Sequence, residues 1–200
     1  MPSRLLNPLR ALFGPRMRYG VRSGDGTWRP HSRIGSACAI EAPGRLLLGD
    51  HVFIGHFNFI DASGGLRIDD GVQITNHVSV LTHSTHRALR LEREAFWGHA
   101  QPAGVVREPT AIGAWTFIGP HCTVAPGARI GCGVLVRSHS YVTGAVPDFA
   151  IVEGRPARVV GDVRDADRAW LDAHAPERRA SYEAWLATVT AQAARPGGGP

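Results

Sequence analysis

The sequence predicts a mainly β fold, a solenoid of stacked three-sided coils, on three observations. From Ile112 to Val142 an aliphatic residue falls on every sixth position: Ile112, Ile118, Val124, Ile130, Val136 and Val142. Glycine follows the aliphatic residue in Ile112-Gly113, Ile118-Gly119 and Ile130-Gly131. The same beat runs earlier through Ile34 and Ile40, then Leu48, Ile54 and Ile60, then Ile68, Ile74 and Val80, with two-residue slips between the blocks. A helix repeats its apolar face about every 3.6 residues and a half-buried strand every 2, so neither produces this period. Each beat reads as one short flat strand plus a sharp turn. Three beats close a triangular coil, and stacked coils bury an aliphatic column along the axis. The glycines are expected where a corner needs backbone freedom and little bulk. The slips are expected at slightly longer corners, because a solenoid absorbs insertions at its turns.

The chain of 200 residues divides by composition. Residues 1–29 are a basic and apolar amino-terminal segment, 30–160 the repeat with a loop at 83–110, 161–194 a helical segment, and 195–200 a disordered tail. In Met1 to Tyr19, Leu5, Leu9 and Leu12 lie at helical spacing among arginines, which fits a short helix over the first coil or a foot on a membrane surface. Between His83 and Pro109 the beat vanishes, and the stretch is rich in Arg and His and holds Phe96 and Trp97. It reads as an excursion from the solenoid, and long irregular insertions concentrate function. Beyond Val160, Pro176 marks a helix start, and Tyr182, Trp185, Leu186 and Val189 form an i, i+3, i+4, i+7 stripe.

A net charge of +5, with Arg outnumbering Lys, suits an anionic partner. Nucleic acid is not that partner, since no basic and aromatic recognition motif is present. Cys38, Cys122 and Cys132 are an odd number without metal-ligand spacing, as expected of free thiols in a reducing cytoplasm. No apolar run approaches the roughly 20 residues of a membrane span, and the amino end lacks a signal-peptide layout.

Three stretches carry a family likeness: Gly55-His56-Phe57-Asn58 with Asp61; Ile118-Gly119-Pro120 through Val124-Ala125-Pro126-Gly127; and Ala150 to Val160, which contains Gly154-Arg155-Pro156-Ala157-Arg158-Val159. On these the chain resembles the hexapeptide-repeat acyltransferases, in particular the sugar and polysaccharide O-acetyltransferases, over roughly residues 30 to 165. The resemblance implies a left-handed parallel β-helix, a homotrimer, acetyl coenzyme A as co-substrate, a carbohydrate acceptor and no required metal. The three phosphates of coenzyme A match the basic charge.

Moving an acyl group from a thioester to a hydroxyl requires a base, donors for the oxyanion and alignment of both substrates. Histidine suits the base. His83 and His86, in Leu81-Thr82-His83-Ser84-Thr85-His86-Arg87, both stand where the family's catalytic histidine is found. The pattern His-x-x-His-x-x-Leu-Arg favours His83, whereas counting along the coil from Asp70 favours His86. The resemblance makes Asn58 a holder of the acceptor hydroxyl. Asp61 either binds a second hydroxyl or orients a histidine, and Trp97 lines the acceptor pocket or anchors the loop. It also maps donor contacts onto Gly119, Ser138 and Thr143, with Arg158 on a phosphate. Gly144 stands where the family carries a basic residue, and Arg137 is a candidate substitute. His56, His121 and His139 lie on separate coils, and Asn76-His77 reads as a structural corner. Two alternatives share the fold: a non-catalytic scaffold, and a trimeric zinc carbonic anhydrase, whose paired histidines on one coil are not found here.

Overall fold

The computed structural model describes residues 14–193. Their strands form three main sheets and one two-stranded hairpin. The first sheet runs, in order, through Met17–Arg22, Trp28–Gly35, Phe53–Ile54, Gln73–Ile74, Phe117–Ile118, Leu135–Val136, Ala150–Gly154 and Ala157–Asp162. The second holds Ala39–Glu41, Phe59–Asp61, Ser79–Val80, Thr123–Val124 and Tyr141–Val142, and the third Leu46–Leu48, Leu66–Ile68, Thr110–Ile112, Arg129–Ile130 and Ala145–Val146. From Trp28 to Gly154 the chain visits first, second and third sheet in rotation, and contacts between successive visits to a sheet are parallel.

The six-residue beat is the footprint of that rotation. Ile34, Ile54, Ile74, Ile118, Val136 and Val152 are successive register partners in the first sheet. Ile40, Ile60, Val80, Val124 and Val142 align in the second, and Leu48, Ile68, Ile112, Ile130 and Val146 in the third. Three aliphatic columns, one per sheet, therefore meet in a single core, where the rhythm alone suggested one. Ile54, Ile60, Ile68, Ile74, Val80, Ile112, Ile118, Val124, Val136 and Val142 are all fully buried.

The corner glycines serve closeness rather than backbone freedom. Gly113, Gly119 and Gly131 have no positive φ. A Cβ on Gly113 would sit 2.6 Å from the carbonyl carbon of Gly131, and one on Gly119 would sit 2.8 Å from the amide nitrogen of Ser138. Coils stack too tightly there for a side chain. Left-handed backbone falls on other glycines, Gly71 and Gly133 among them, and also on bulky residues. At the first-to-second corner Phe57, His77, His121 and His139 take φ of 61, 58, 59 and 63°. Their rings stack in a column with neighbouring centroids 5.2, 5.0 and 4.9 Å apart, so histidines on separate coils become one ladder.

Both two-residue slips, Ile40 to Leu48 and Ile60 to Leu66–Ile68, lie at the second-to-third corner, the first of them spanning a 3₁₀ turn at Pro43–Arg45. The excursion leaves from the same corner one coil later. It begins with a two-stranded antiparallel pair, His83 opposite Arg107 and Ser84 opposite Val106. Between them run helix α1 (His86–Glu92) and a 3₁₀ segment, Arg93–Gly98. Glu92 staples the loop, accepting from the Ala103 amide at 2.8 Å and facing His99 Nδ1 at 3.1 Å.

Antiparallel strands close both ends of the first sheet, Met17–Arg22 on Trp28–Gly35 and Ala157–Asp162 on Ala150–Gly154. Residues 17–19 are thus strand, where the leucine spacing suggested helix. The rest of that expectation, for residues 1–13, and the tail at 195–200 lie outside the described residues. Helices α2 (Val163–His174) and α3 (Arg179–Ala193) follow. Asp162 caps α2 by accepting from the Arg164 amide. The stripe on α3 docks Leu186 and Val189, flanked by Tyr182 and Trp185, against Phe149 and Cys132 of the solenoid. Arg168 and Arg179 both bind Glu183, and this holds its carboxyl down to about 2. No helix among the described residues is long and apolar enough to cross a membrane.

Candidate active site

The second-to-third corner gives the excursion its root, and Asp61 organises that root. Asp61 ends the strand Phe59–Asp61 and is completely buried. Where the chain leaves the coil after Leu81, the amides of Thr82 and His83 lose the regular coil pattern, and such buried donors require other acceptors. Asp61 supplies them. Its Oδ2 accepts from the Thr82 amide at 2.8 Å, the Thr82 hydroxyl at 2.8 Å and the His83 amide at 3.1 Å, while Oδ1 accepts from the Ser63 amide at 2.8 Å. Burial opposes the charge, but these donors outweigh it and hold the carboxyl well below the usual carboxylate range.

The same Oδ2 lies 2.8 Å from His83 Nδ1, and Ser63 Oγ lies 2.9 Å from that nitrogen. An ionised carboxylate only accepts, so Nδ1 carries the proton that it donates to Asp61. Nε2 is left with its lone pair, on a side chain 32% exposed. A buried anion and a partly exposed imidazole with a fixed tautomer together make a proton acceptor.

The geometry separates the two histidines that sequence left level. His86 opens α1, is exposed, and meets Ser84 Oγ at 2.8 Å rather than a carboxylate. Asp61 takes the orienting position, one of its two readings. Asn58 is placed otherwise than as an acceptor holder: it is 2% exposed, donates to the Gly55 and Thr75 carbonyls, and accepts from the Val78 amide. Its amide is spent joining neighbouring coils. Trp97 is 83% exposed on the excursion, edge-on to Phe96.

On the outer side of the second sheet an open cleft of about 720 Å³ is lined by His121, Thr123, Ser140, Tyr141, Thr143, Arg155 and Pro156. Register places Thr143 in the corner column of Asp61, since Ile60, Val80, Val124 and Val142 align and each residue that follows them turns that corner. With layers about 4.8 Å apart, the cleft begins at Thr123, one layer along the stack from Leu81, and Thr143 lies two layers, roughly 10 Å, from it. Of the four residues mapped to the donor, Thr143 alone lines this cleft. Gly119 packs beneath Ser138, and Ser138 is exposed at the adjacent corner. The exposed Arg158 side chain folds onto the Ala157 carbonyl, and Arg155, three residues earlier, is the arginine at the cleft. Arg137 is paired with Glu153 at 2.6 Å, so its charge is already matched. Sequence reasoning passed over Ser63, Thr82 and Arg155. The short Asp-x-Ser turn at Asp61 to Ser63 was the available signal for the first.

No family model matches the chain. Among curated proteins it is 32% identical over 157 residues to a probable acetyltransferase of Mycobacterium tuberculosis, covering 78% of this chain and 49% of the relative. It is 29% identical over 143 residues to the galactoside O-acetyltransferase of Escherichia coli, covering 68% of this chain and 66% of the relative. The chain thus spans about half the length of the first and just under two thirds of the second. Among solved structures it resembles a hexapeptide-repeat acetyltransferase of Vibrio cholerae complexed with acetyl coenzyme A, with TM-score 0.56, 24% identity and coverage of 63% and 64% of the two chains. It also resembles a galactoside acetyltransferase in complex with coenzyme A, with TM-score 0.55, 24% identity and coverage of 66% and 62%. At these identities the structural likeness speaks for the fold.

Proposed function

We propose that this chain, whose homologues and structural neighbours are hexapeptide-repeat acetyltransferases, transfers an acetyl group from acetyl coenzyme A to a hydroxyl of a carbohydrate. The observation that carries the reading is the Asp61–His83 pair at the root of the excursion. His83 Nε2 takes the proton of the acceptor hydroxyl as its oxygen attacks the thioester carbonyl. The new C–O bond forms, the C–S bond breaks, and the proton passes from His83 to the departing thiolate. Asp61 stabilises the imidazolium and fixes its tautomer. No covalent enzyme intermediate is needed.

The donor lies along the second sheet, with its pantetheine arm against the Thr143 column and a phosphate at Arg155, whose planar guanidinium suits that partner. The solenoid winds as a left-handed parallel β-helix over residues 30–160, and the protein works as a cytoplasmic homotrimer whose neighbouring subunit completes the cleft. The acceptor is a sugar of a polysaccharide or lipopolysaccharide precursor, in keeping with relatives named for galactoside and lipopolysaccharide O-acetyl transfer. Trp97 is offered to that sugar as an aromatic face.

The test is thiol release from acetyl coenzyme A with a panel of sugars. His83→Ala is expected to lower kcat by about 10²- to 10⁴-fold, with His86→Ala within a few-fold of the parent. Undiminished turnover in His83→Ala refutes the assignment. Zinc-dependent activity without acetyl transfer would replace it.

A further inference from the structure

A second cluster of chemistry-bearing side chains lies away from the dyad and the cleft, at the third-to-first corner of the first coil. His31 projects from the strand Trp28–Gly35, and Asp50 and His51 occupy the turn between Leu46–Leu48 and Phe53–Ile54. Among the described residues, this is the group whose three ligand atoms all fall within 4.8 Å of one another.

Asp50 divides its two oxygens between two tasks. Oδ1 accepts from the amides of His31 and His51, each at 2.9 Å, and from the Ser32 hydroxyl at 3.3 Å. Oδ2 faces the imidazoles, 2.8 Å from His31 Nδ1 and 4.0 Å from His51 Nδ1. One oxygen is thus locked by backbone while the other is presented between two rings, which is how supporting hydrogen bonds aim a metal-binding carboxylate. The rings stack with centroids 4.6 Å apart at 14°. Both histidine side chains are open to solvent, 62% and 59% exposed, so an ion has a path in.

The spacing fits a small cation. Tetrahedral zinc with bonds of about 2.0–2.1 Å holds its ligand atoms roughly 3.4 Å apart. The two separations from Oδ2 lie either side of that value, and rotation of exposed imidazoles closes the difference with the turn unmoved. Two imidazoles and one carboxylate, with positions left for water, match zinc and its neighbours in the transition series rather than magnesium or calcium, which favour all-oxygen shells.

We propose that His31, Asp50 and His51 form a divalent transition-metal site, with zinc as its first candidate, that clips the first strand of the solenoid to the turn opening the next coil. The ion binds the folded chain and not the separated residues, so it stabilises the amino-terminal end of the stack. This assignment does not depend on the acetyl-transfer reading. The ladder of His77, His121 and His139 is the competing donor set, and among the described residues its ligand atoms do not gather into one three-member group as those of His31, Asp50 and His51 do.

The test is calorimetric titration of Zn²⁺ into tag-free full-length protein, with Co²⁺ absorption reporting coordination. The parent is expected to bind one ion per chain and to melt at a higher temperature with Zn²⁺ present. Asp50→Asn, which removes a charged ligand rather than a supporting group, is expected to weaken binding by more than about 10-fold. His31→Gln with His51→Gln, which keeps the Asp50 turn bonds, is expected to abolish both the binding and the melting shift while far-ultraviolet circular dichroism stays the same. The triple variant His77→Gln, His121→Gln, His139→Gln is expected to bind as the parent does. The proposal is overturned if the parent takes up no ion, if the His31/His51 variant binds equally well, or if the ladder variant is the one that loses the site.

Discussion

Replacing Asp61 by asparagine tests the site and the coil together. Five donors converge on this buried carboxylate: the amides of Ser63, Thr82 and His83, the Thr82 hydroxyl and His83 Nδ1. Asparagine offers one accepting oxygen, and its NH₂ group, turned toward Oδ1 or Oδ2, meets donors with a donor. At least one backbone amide then loses its partner. A buried unsatisfied group costs about 1–3 kcal/mol, and a hydrogen bond to a charged group contributes about 1.5–3 kcal/mol, so the expected destabilisation is about 2.5–6 kcal/mol. The catalytic effect is separable. Without a carboxylate to receive the Nδ1 proton, His83 loses its tautomer preference and the stabilisation of its imidazolium, so kcat falls by about 10²- to 10⁴-fold. The Michaelis constant for acetyl coenzyme A stays within a few-fold, since Asp61 is absent from the cleft lining. Urea unfolding reads the first effect and thiol release from the folded fraction reads the second. If the two residues act as one unit, adding Asp61→Asn to His83→Ala lowers kcat no further. Additive losses in that cycle, or a parental kcat in Asp61→Asn, would refute the dyad.

The coil stack and the helical cap give three more expectations. Ile118→Ala empties a fully buried position stacked between Ile74 and Val136, and should cost about 2–5 kcal/mol in urea unfolding with kcat for the folded protein retained. Gly119→Ala places a methyl 2.8 Å from the Ser138 amide nitrogen and 3.0 Å from the Val136 carbonyl, so the coils must part, at a cost of about 1–3 kcal/mol read as a lowered melting temperature. For Glu183, the Arg168 and Arg179 pairs depress the folded carboxyl to about 2 from 4.5, so its stabilisation is complete above the unfolded value and is lost as pH falls from about 4.5 to about 2. Glu183→Gln should therefore be less stable than the parent near neutral pH and converge with it below about pH 2, followed by denaturant midpoints across that range.

Which parts of this molecule could be read from its sequence follows from how local the determining contacts are. The rhythm was legible because each sheet visit commits one inward aliphatic, and a strand of two or three residues leaves no room for a competing pattern. The direction of corner polar groups was not legible. Asn58 looked like a ligand-binding residue and Asp61 like either that or the orienter of a histidine, and both are sealed inside, because a corner side chain that turns inward can satisfy the amides of the next coil only if that coil is at hand. Register also sets which of His83 and His86 meets the carboxylate. The two-residue slip after Ile60 makes Val80, twenty residues later, its partner, which puts Thr82 and His83 just past the level of Asp61. Without the slip, the layer above Asp61 would have been reached two residues earlier, and a different side chain would have met the carboxylate. The insertions, the buried anion and His83 thus share one corner for one reason. The chain can leave the stack only where the broken pattern of amides is replaced, and the group that replaces it here is the same carboxylate that aims the histidine.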